Sequence, residues 1–280
     1  MAFLSEPPPP RGIVLPITSE ISRVVANNPS VMTYHGTNTY LIASDGGFVV
    51  IDPGPDDKGH IDDVLRATAG AVTAILLTHT HSDHLGATAA LKAATRAPTY
   101  GFRVSADPGF NADVLLDNGD GVAGMVAVYT PGHASDHLCF ARPDGTIFSG
   151  DHVMSWSSSI VSPPGGNMVD YFDSLKLLIA RDDRLLLPGH GPPLERPKAH
   201  VQSLLDHRLM REHAILDALA GGPQGTWDLV DRLYASKTDP WLRRAAERNV
   251  TAHLLKLQIE GRVRQTGDRW EAERGVIDRA

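Results

Sequence analysis

The segment "THTHSDH" places His79, His81, Asp83 and His84 within six positions. In an extended segment His79 and His81, two residues apart, point their imidazoles to one side. Asp83 and His84, at a turn into a helix, face a second point beside the first. Further along stand His133 in "TPGHASDH", Asp151 in "FSGDH" and His190 in "LPGHGPP", each next to a glycine. So many titratable groups in one place repel one another, or pay for desolvation, unless a partner compensates them. Imidazole and carboxylate are the usual ligands of zinc where no thiolate is available. Seven of them suit two adjacent ions: His79, His81 and His133 on the first, Asp83, His84 and His190 on the second, with Asp151 bridging. Two zinc ions, with iron or manganese as substitutes, roughly 3.5–4 Å apart would hold a bridging hydroxide, polarise a target oxygen and stabilise the charge that develops on it. Metal binding lowers the pKa of water from ~15.7 towards ~7, which makes that nucleophile at neutral pH. Asp151 and Asp83 are then the catalytic carboxylates, Asp83 orienting a proton as well as ligating. His35, His60, His200, His213 and His253 stand alone and read as packed or solvent-facing side chains.

Each cluster falls where a strand is expected to stop. "SRVVANN", "TNTYLIAS" and "GFVVIDPG" read as strands, with Asp45-Gly46-Gly47 as a hairpin turn. A helix over 59–69, the apolar strand "AVTAILL" and the Ala-rich helix "HLGATAALKAATR" follow. Further strands are expected at "VAVYT", "LCFARP", "GTIFSGD" and "RLLLPGHG", with a helix at "YFDSLKLLIARD". Open α/β proteins commonly build their sites from loops at such strand ends. From Lys198 the texture changes to a long amphipathic helix ended by Gly221-Gly222-Pro223. Two more helices, the first capped by Thr226 and the second stopped at Gly261, precede a hairpin around Gly267-Asp268. Helix, helix, helix and hairpin is the order of a winged helix. Residues 1–198 are therefore assigned to a catalytic domain and 199–280 to a winged-helix-like one.

The single cysteine, Cys139 in "LCFA", excludes an intrachain disulfide and a Cys-rich zinc finger and reads as a small buried hydrophobe. Residues 1–200 carry 13 Lys and Arg against 21 Asp and Glu, and residues 201–280 carry 13 against 12. An acidic body argues against a broad polyanion-binding surface. On Arg243, Arg244 and Arg248 a solvated helix face outweighs a nucleic-acid contact, and His207, Arg208 and Arg211 are expected to dock the long helix on the main domain. No basic leader followed by an apolar stretch opens the sequence, and no segment reaches the ~20 apolar residues of a membrane span, so no membrane partner and a cytoplasmic location are expected.

HxHxDH after a strand, followed in order by "TPGH", "GD" and "PGHG", resembles the metallo-β-lactamase superfamily. The resemblance implies an αββα sandwich, within the α/β class, with metals at the sheet edge. Asp151, where true lactamases carry a cysteine nearby, is similar to the branch of glyoxalase II and phosphodiesterases. "NPSVMTYHGTNTYLI", "LPGHGPP", "HRLMREHAILDAL" and "LLKLQIEGRVRQTGDRWEA" resemble the lactamase-beta-like group, whose eukaryotic member is regarded as a mitochondrial single-strand endoribonuclease. The implied function is a dinuclear hydrolase of an ester-type bond: single-stranded RNA, or alternatively a small-molecule ester or thioester of the hydroxyacyl type cleaved by glyoxalase II. The segment "HVMSWSSSIVSPPGGNMVDY" departs from the endoribonuclease pattern, and the tail departs from that of glyoxalase II.

The resemblance also implies that Asp52 orients a metal-ligating histidine through its other ring nitrogen, a turn aspartate before Pro53-Gly54 being the competing role. His137 is a similar candidate, with strand packing as the alternative. The long polar segment 155–171 is expected to shape the substrate pocket through Trp156, Asn167 and Tyr171, a plain connecting loop being the alternative. Two rivals are a nucleic-acid-binding regulator with a vestigial metal site and an iron centre for oxygen chemistry. The complete ligand set opposes the first, and His81, where flavodiiron-type sites are expected to use Glu, opposes the second. For the tail, RNA binding, packing on the main domain and assembly of a homodimer all fit the same pattern.

Overall fold

The computed structural model describes residues 3–236 and 238–273. Its central strands are apolar on both faces, which requires cover on both sides. In one sheet Tyr40, Ile42, Val49 and Ile51 point to one core, while Leu41 and Val50 point to another. In the other, Leu138 and Phe140 meet the first sheet, while Cys139 and Ala141 face away from it. Two sheets pressed together with helices outside satisfy both patterns.

The first sheet runs in chain order: β1 (Leu15–Pro16), β2 (Ile21–Val25), β3 (Asn38–Ser44), β4 (Gly47–Ile51), β5 (Val72–Leu76), β6 (Thr99–Phe102) and β7 (Val114–Leu116). It is antiparallel as far as β4 and parallel from there. Ser44 pairs with Gly47, so the turn at Asp45-Gly46 forms as expected. The second sheet holds β8 (Gly121–Val122), β9 (Met125–Tyr129), β10 (Leu138–Ala141), β11 (Thr146–Gly150), β12 (Leu185–Pro188) and β13 (Leu194–Glu195), also in chain order. Helices α1 (Lys58–Ala67), α2 (Ser82–Leu85) and α3 (Thr88–Thr95) belong to the first half of the chain, and Val64 of α1 and Leu91 of α3 cover the first sheet. Helix α4 (Met168–Ala180) covers the second sheet with Met168, Tyr171, Phe172 and Leu175.

Helix α5 (Lys198–Leu219) serves two cores. Val201, Leu204 and Leu205 join the cluster beneath α4. Ile215, Ala218 and Leu219 join that of the tail, with α6 (Thr226–Leu233), α7 (Pro240–Ile259) and Trp270. A small sheet of β14 (Gln224–Gly225), β16 (Arg269–Ala272) and β15 (Val263–Thr266) completes the winged helix. Asp239 caps α7 by accepting from the backbone N–H groups of Trp241 and Leu242. Among the described residues no helix is long and apolar enough to cross a membrane.

Candidate metal centre

The loop leaving β5 and the short α2 bring the first motif together at the sheet edge, and the loops after β9, β11 and β12 deliver His133, Asp151 and His190 to the same place. His79 Nε2 and His133 Nε2 lie 2.9 and 3.0 Å from His81 Nδ1. The ring protons can be assigned from the outer contacts. His133 Nδ1 meets the Ile160 carbonyl at 2.7 Å and so carries its proton there. Thr78 Oγ1 donates to Asp52 Oδ2 at 2.7 Å, which leaves it to accept from His79 Nδ1 at 3.0 Å. Both Nε2 atoms therefore present lone pairs to His81 Nδ1, and one proton there can serve only one of them. Three converging nitrogens short of protons make a cation site. Their spacing is close to the ~3.3 Å edge of a tetrahedron with metal–nitrogen bonds of ~2.0–2.1 Å.

The second group is built likewise. His84 Nδ1 donates to Asp52 Oδ2 at 2.8 Å, and His190 Nδ1 faces the Gly36 carbonyl at 3.3 Å. Their Nε2 atoms lie 3.7 and 3.2 Å from Asp83 Oδ2. Asp151 stands between the groups, with Oδ1 3.4 Å from His84 Nε2 and Oδ2 3.5 and 3.8 Å from the Nε2 atoms of His190 and His133. Among the described residues His84 Nε2 and Asp151 Oδ1 are buried without a hydrogen bond, as the ligand atoms of a metal would be. The donor set fits divalent metal.

Asp52 occupies a left-handed backbone position, φ +52°, and is 1% exposed. Its carboxylate accepts from the Thr78 N–H and hydroxyl as well as from His84, so one side chain orients His84 directly and His79 through Thr78. Gly189 leaves room for the cluster: a Cβ there would lie 2.5 Å from Asp151 Oδ1 and 2.7 Å from His84 Cε1.

The two groups differ electrostatically. Burial, with His84 and His81 nearby, holds His79 well below the usual histidine range, and burial with His81 pushes His133 down to about 4. At His84 burial opposes the charge, but Asp151, Asp83 and Asp52 outweigh it and raise the group well above that range. His190 rises to about 9, where Asp151 and Asp83 overcome burial. Against the same opposition His84 and His190 hold Asp83 at about 2 and Asp151 well below the carboxylate range. One group thus offers neutral lone pairs, while the other is an ion-pair cluster whose ring protons a metal would replace.

The centre opens into a cleft of about 720 Å³ between the main body and the tail. Val31, Met32, Met154, Trp156 and Ile160 form one wall, and Tyr234, Trp241 and Leu242 of the tail the other. Trp156 stacks on Tyr34 with ring centroids 4.9 Å apart and lines the cleft as expected. Asn167 and Tyr171 do not. Asn167 is the cap of α4, its side chain accepting from the backbone of Val169 and Asp170. Tyr171 lies in the first turn of that helix, wholly buried, its hydroxyl donating to the His152 carbonyl. Helix α4 begins three residues earlier than the sequence pattern indicates, which turns both side chains away from the cleft. His137 is also corrected: its Nδ1 meets Thr130 Oγ1 and among the described residues its Nε2 bonds nothing, so it packs beside His79, ring centroids 5.2 Å apart, and bonds none of the candidate ligands. Thr78 and the Ile160 carbonyl orient His79 and His133 and carry no sequence signal. Arg244 and Arg248, read as a solvated face, line the cleft together with His207.

The model of the Metallo-beta-lactamase superfamily matches residues 32–190, and that of the Beta-lactamase associated winged helix domain matches residues 226–270. The chain is 31% identical over 270 residues to a Drosophila melanogaster protein named Beta-lactamase-like protein 2 homolog, covering 89% of this chain and 91% of the relative. It is 30% identical over 270 residues to an Aspergillus chevalieri protein named Atrochrysone carboxyl ACP thioesterase, covering 91% and 86%. The crystal structure of a Beta-lactamase domain protein from Burkholderia ambifaria shares the fold with a TM-score of 0.81 at 22% identity, covering 95% of each chain. Sheet order, ligand cluster and matched models agree: the chain belongs to the metallo-beta-lactamase superfamily, as a hydrolase with the associated winged helix at its C-terminal end.

Proposed function

We propose that this hydrolase uses two metal ions, zinc in the first instance, to cleave acyl thioesters whose bulky apolar acyl group sits in the cleft beside the tail. The cleft carries the reading: aromatic and aliphatic side chains from both domains open directly onto the two ligand groups. Bound there, the metals supply Lewis acidity that brings a water's pKa towards ~7 and polarises the target carbonyl. Asp83 is ionised at neutral pH, so its carboxylate can take the proton of the attacking water at the oxygen not turned to His190. Asp151 is ionised as well and spans the two groups. Before the attack neither carboxylate carries a proton, which favours a leaving group that departs without one. A thiol, with a pKa near ~8.5, departs as the thiolate without one, whereas an alkoxide does not. Trp156 and Trp241, on opposite walls of the cleft, flank the acyl group in front of the centre. The relative named as an ACP thioesterase supports this reading.

Arg244 and Arg248, with two tryptophans in the same cleft, favour a second reading, a single-stranded RNA phosphodiester. Purified protein loaded with zinc would be assayed against aryl-acyl and hydroxyacyl thioesters and a single-stranded oligoribonucleotide, with Asp151→Ala as control. Thioester turnover lost in the variant is the expected result. RNA cleavage lost in the variant, with the thioesters untouched, replaces the first reading by the second.

A further inference from the structure

We propose that the winged-helix tail helps to build the metal centre, Arg208 of α5 and Asn249 of α7 acting as positioning residues for His133. The inference rests on the reading of His133 as a metal ligand. Four groups form a continuous line. His133 Nδ1 donates to the Ile160 carbonyl at 2.7 Å. That carbonyl belongs to the same planar peptide group as the Val161 N–H, which donates to Asn249 Oδ1 at 3.1 Å. Arg208 Nη1 donates to the same Oδ1 at 2.9 Å, and its Nη2 donates to the Ser159 carbonyl one peptide earlier. The two tail residues thus grip the backbone on both sides of Ile160 and set the direction of its carbonyl. Hydrogen bonds in series polarise one another, so the grip also strengthens the bond to His133. Ser159 ties the segment to the other ligand loop as well, its hydroxyl donating to the Asp151 carbonyl at 2.6 Å.

Arg208 is 3% exposed, and among the described residues no carboxylate lies within ion-pair distance of it. Among the described residues its Nε meets no acceptor, and its guanidinium lies 5.2 Å from the centre of the Tyr171 ring. Burying an unpaired cation is expensive, and a methionine would fill the space more cheaply. What methionine lacks is a planar fork that reaches two oxygens at once, which is the use made of it here.

The test uses the full chain with Asn249→Leu, Asn249→Asp and Arg208→Lys. Metal affinity is read by competition with a chromophoric chelator, the ligand field from the visible spectrum of the cobalt-substituted protein, and folding from circular dichroism. Asn249→Leu, which removes the acceptor at similar volume, is expected to weaken the ion held by His79, His81 and His133 10–100-fold and to shift the cobalt bands. Asn249→Asp, which keeps the acceptor, is expected to stay within about threefold of wild type. Arg208→Lys, which reaches one oxygen, should fall between them. If Asn249→Leu does not fold, Arg208→Lys decides. A folded variant with wild-type affinity and spectrum overturns the proposal while leaving the metal reading intact. Wild-type protein that takes up no metal removes both.

Discussion

Replacing Asp52 with asparagine changes one charge and one acceptor at almost no cost in shape, because asparagine tolerates the left-handed backbone found there. The carboxylate accepts three hydrogen bonds: from the Thr78 N–H at 2.8 Å on Oδ1, and from the Thr78 hydroxyl at 2.7 Å and His84 Nδ1 at 2.8 Å on Oδ2. An amide supplies one acceptor oxygen. Placed at Oδ2 it leaves the buried Thr78 N–H facing an NH2; placed at Oδ1 it turns that NH2 on His84. One lost bond with a buried donor unsatisfied costs about 1–3 kcal/mol of stability. His84 also loses the anion that makes it a better ligand, which corresponds to a 10–100-fold fall in metal affinity, about 1.4–2.8 kcal/mol. The ion held with Asp83 and His190 should suffer more than the one held with His79, which Asp52 reaches only through Thr78. Chelator competition resolves the two affinities, and urea unfolding of metal-free protein reads the stability. Affinities within twofold of wild type at both ions would refute the assignment of Asp52 as the residue that orients this cluster.

Gly189→Ala puts a methyl group 2.5 Å from Asp151 Oδ1 and 2.7 Å from His84 Cε1, so elemental analysis should find fewer metal ions per chain and turnover at least about 100-fold down; full occupancy would contradict the packing. A pH effect is expected in the tail. Burial, with Arg208 and Lys256 nearby and against the pull of Glu212, holds His253 at about 4. The unfolded chain, with a histidine pKa of ~6.5, takes up this proton first as the pH falls, so stability is lost between about pH 6.5 and pH 4. The loss amounts to about 2 kcal/mol at pH 5 and on the order of 3 kcal/mol at pH 4. Urea unfolding of metal-free protein should show this slope reduced in His253→Gln, and equal slopes would show that His253 does not titrate as described.

The convergence of the candidate ligands was legible because four lie in one hexapeptide, and the other three follow apolar strands and sit beside glycines that let the chain approach closely. The strand pattern was legible for a related reason, since alternate residues of β3, β4 and β10 feed two different cores. The short β6 and β7 were not, because Thr99–Phe102 and Val114–Leu116 offer too few residues for a period to register. Asn167 and Tyr171 miss the cleft through one boundary: an asparagine before a helix is a cap signal, and from that cap Tyr171 falls on the inner face of α4. Arg208 does dock the long helix on the main domain as expected, but its partner Ser159 and the link from Asn249 to Val161, 49 and 88 residues away in the chain, were beyond reach.

Helix α5 has its first half in the core beneath α4 and its last turns in the core of the tail. A seam in sequence is therefore not a seam in mechanics. Truncation before the helix would strip Val201, Leu204 and Leu205 from the body, and truncation after it would leave Ile215 and Leu219 bare. Exchange of the tail between relatives is constrained in the same way: a graft has to bring α5 with it, matched to the host sheet at one end and to the incoming winged helix at the other. Diversity in the cleft wall is then inherited as a block, with the scaffold that carries it.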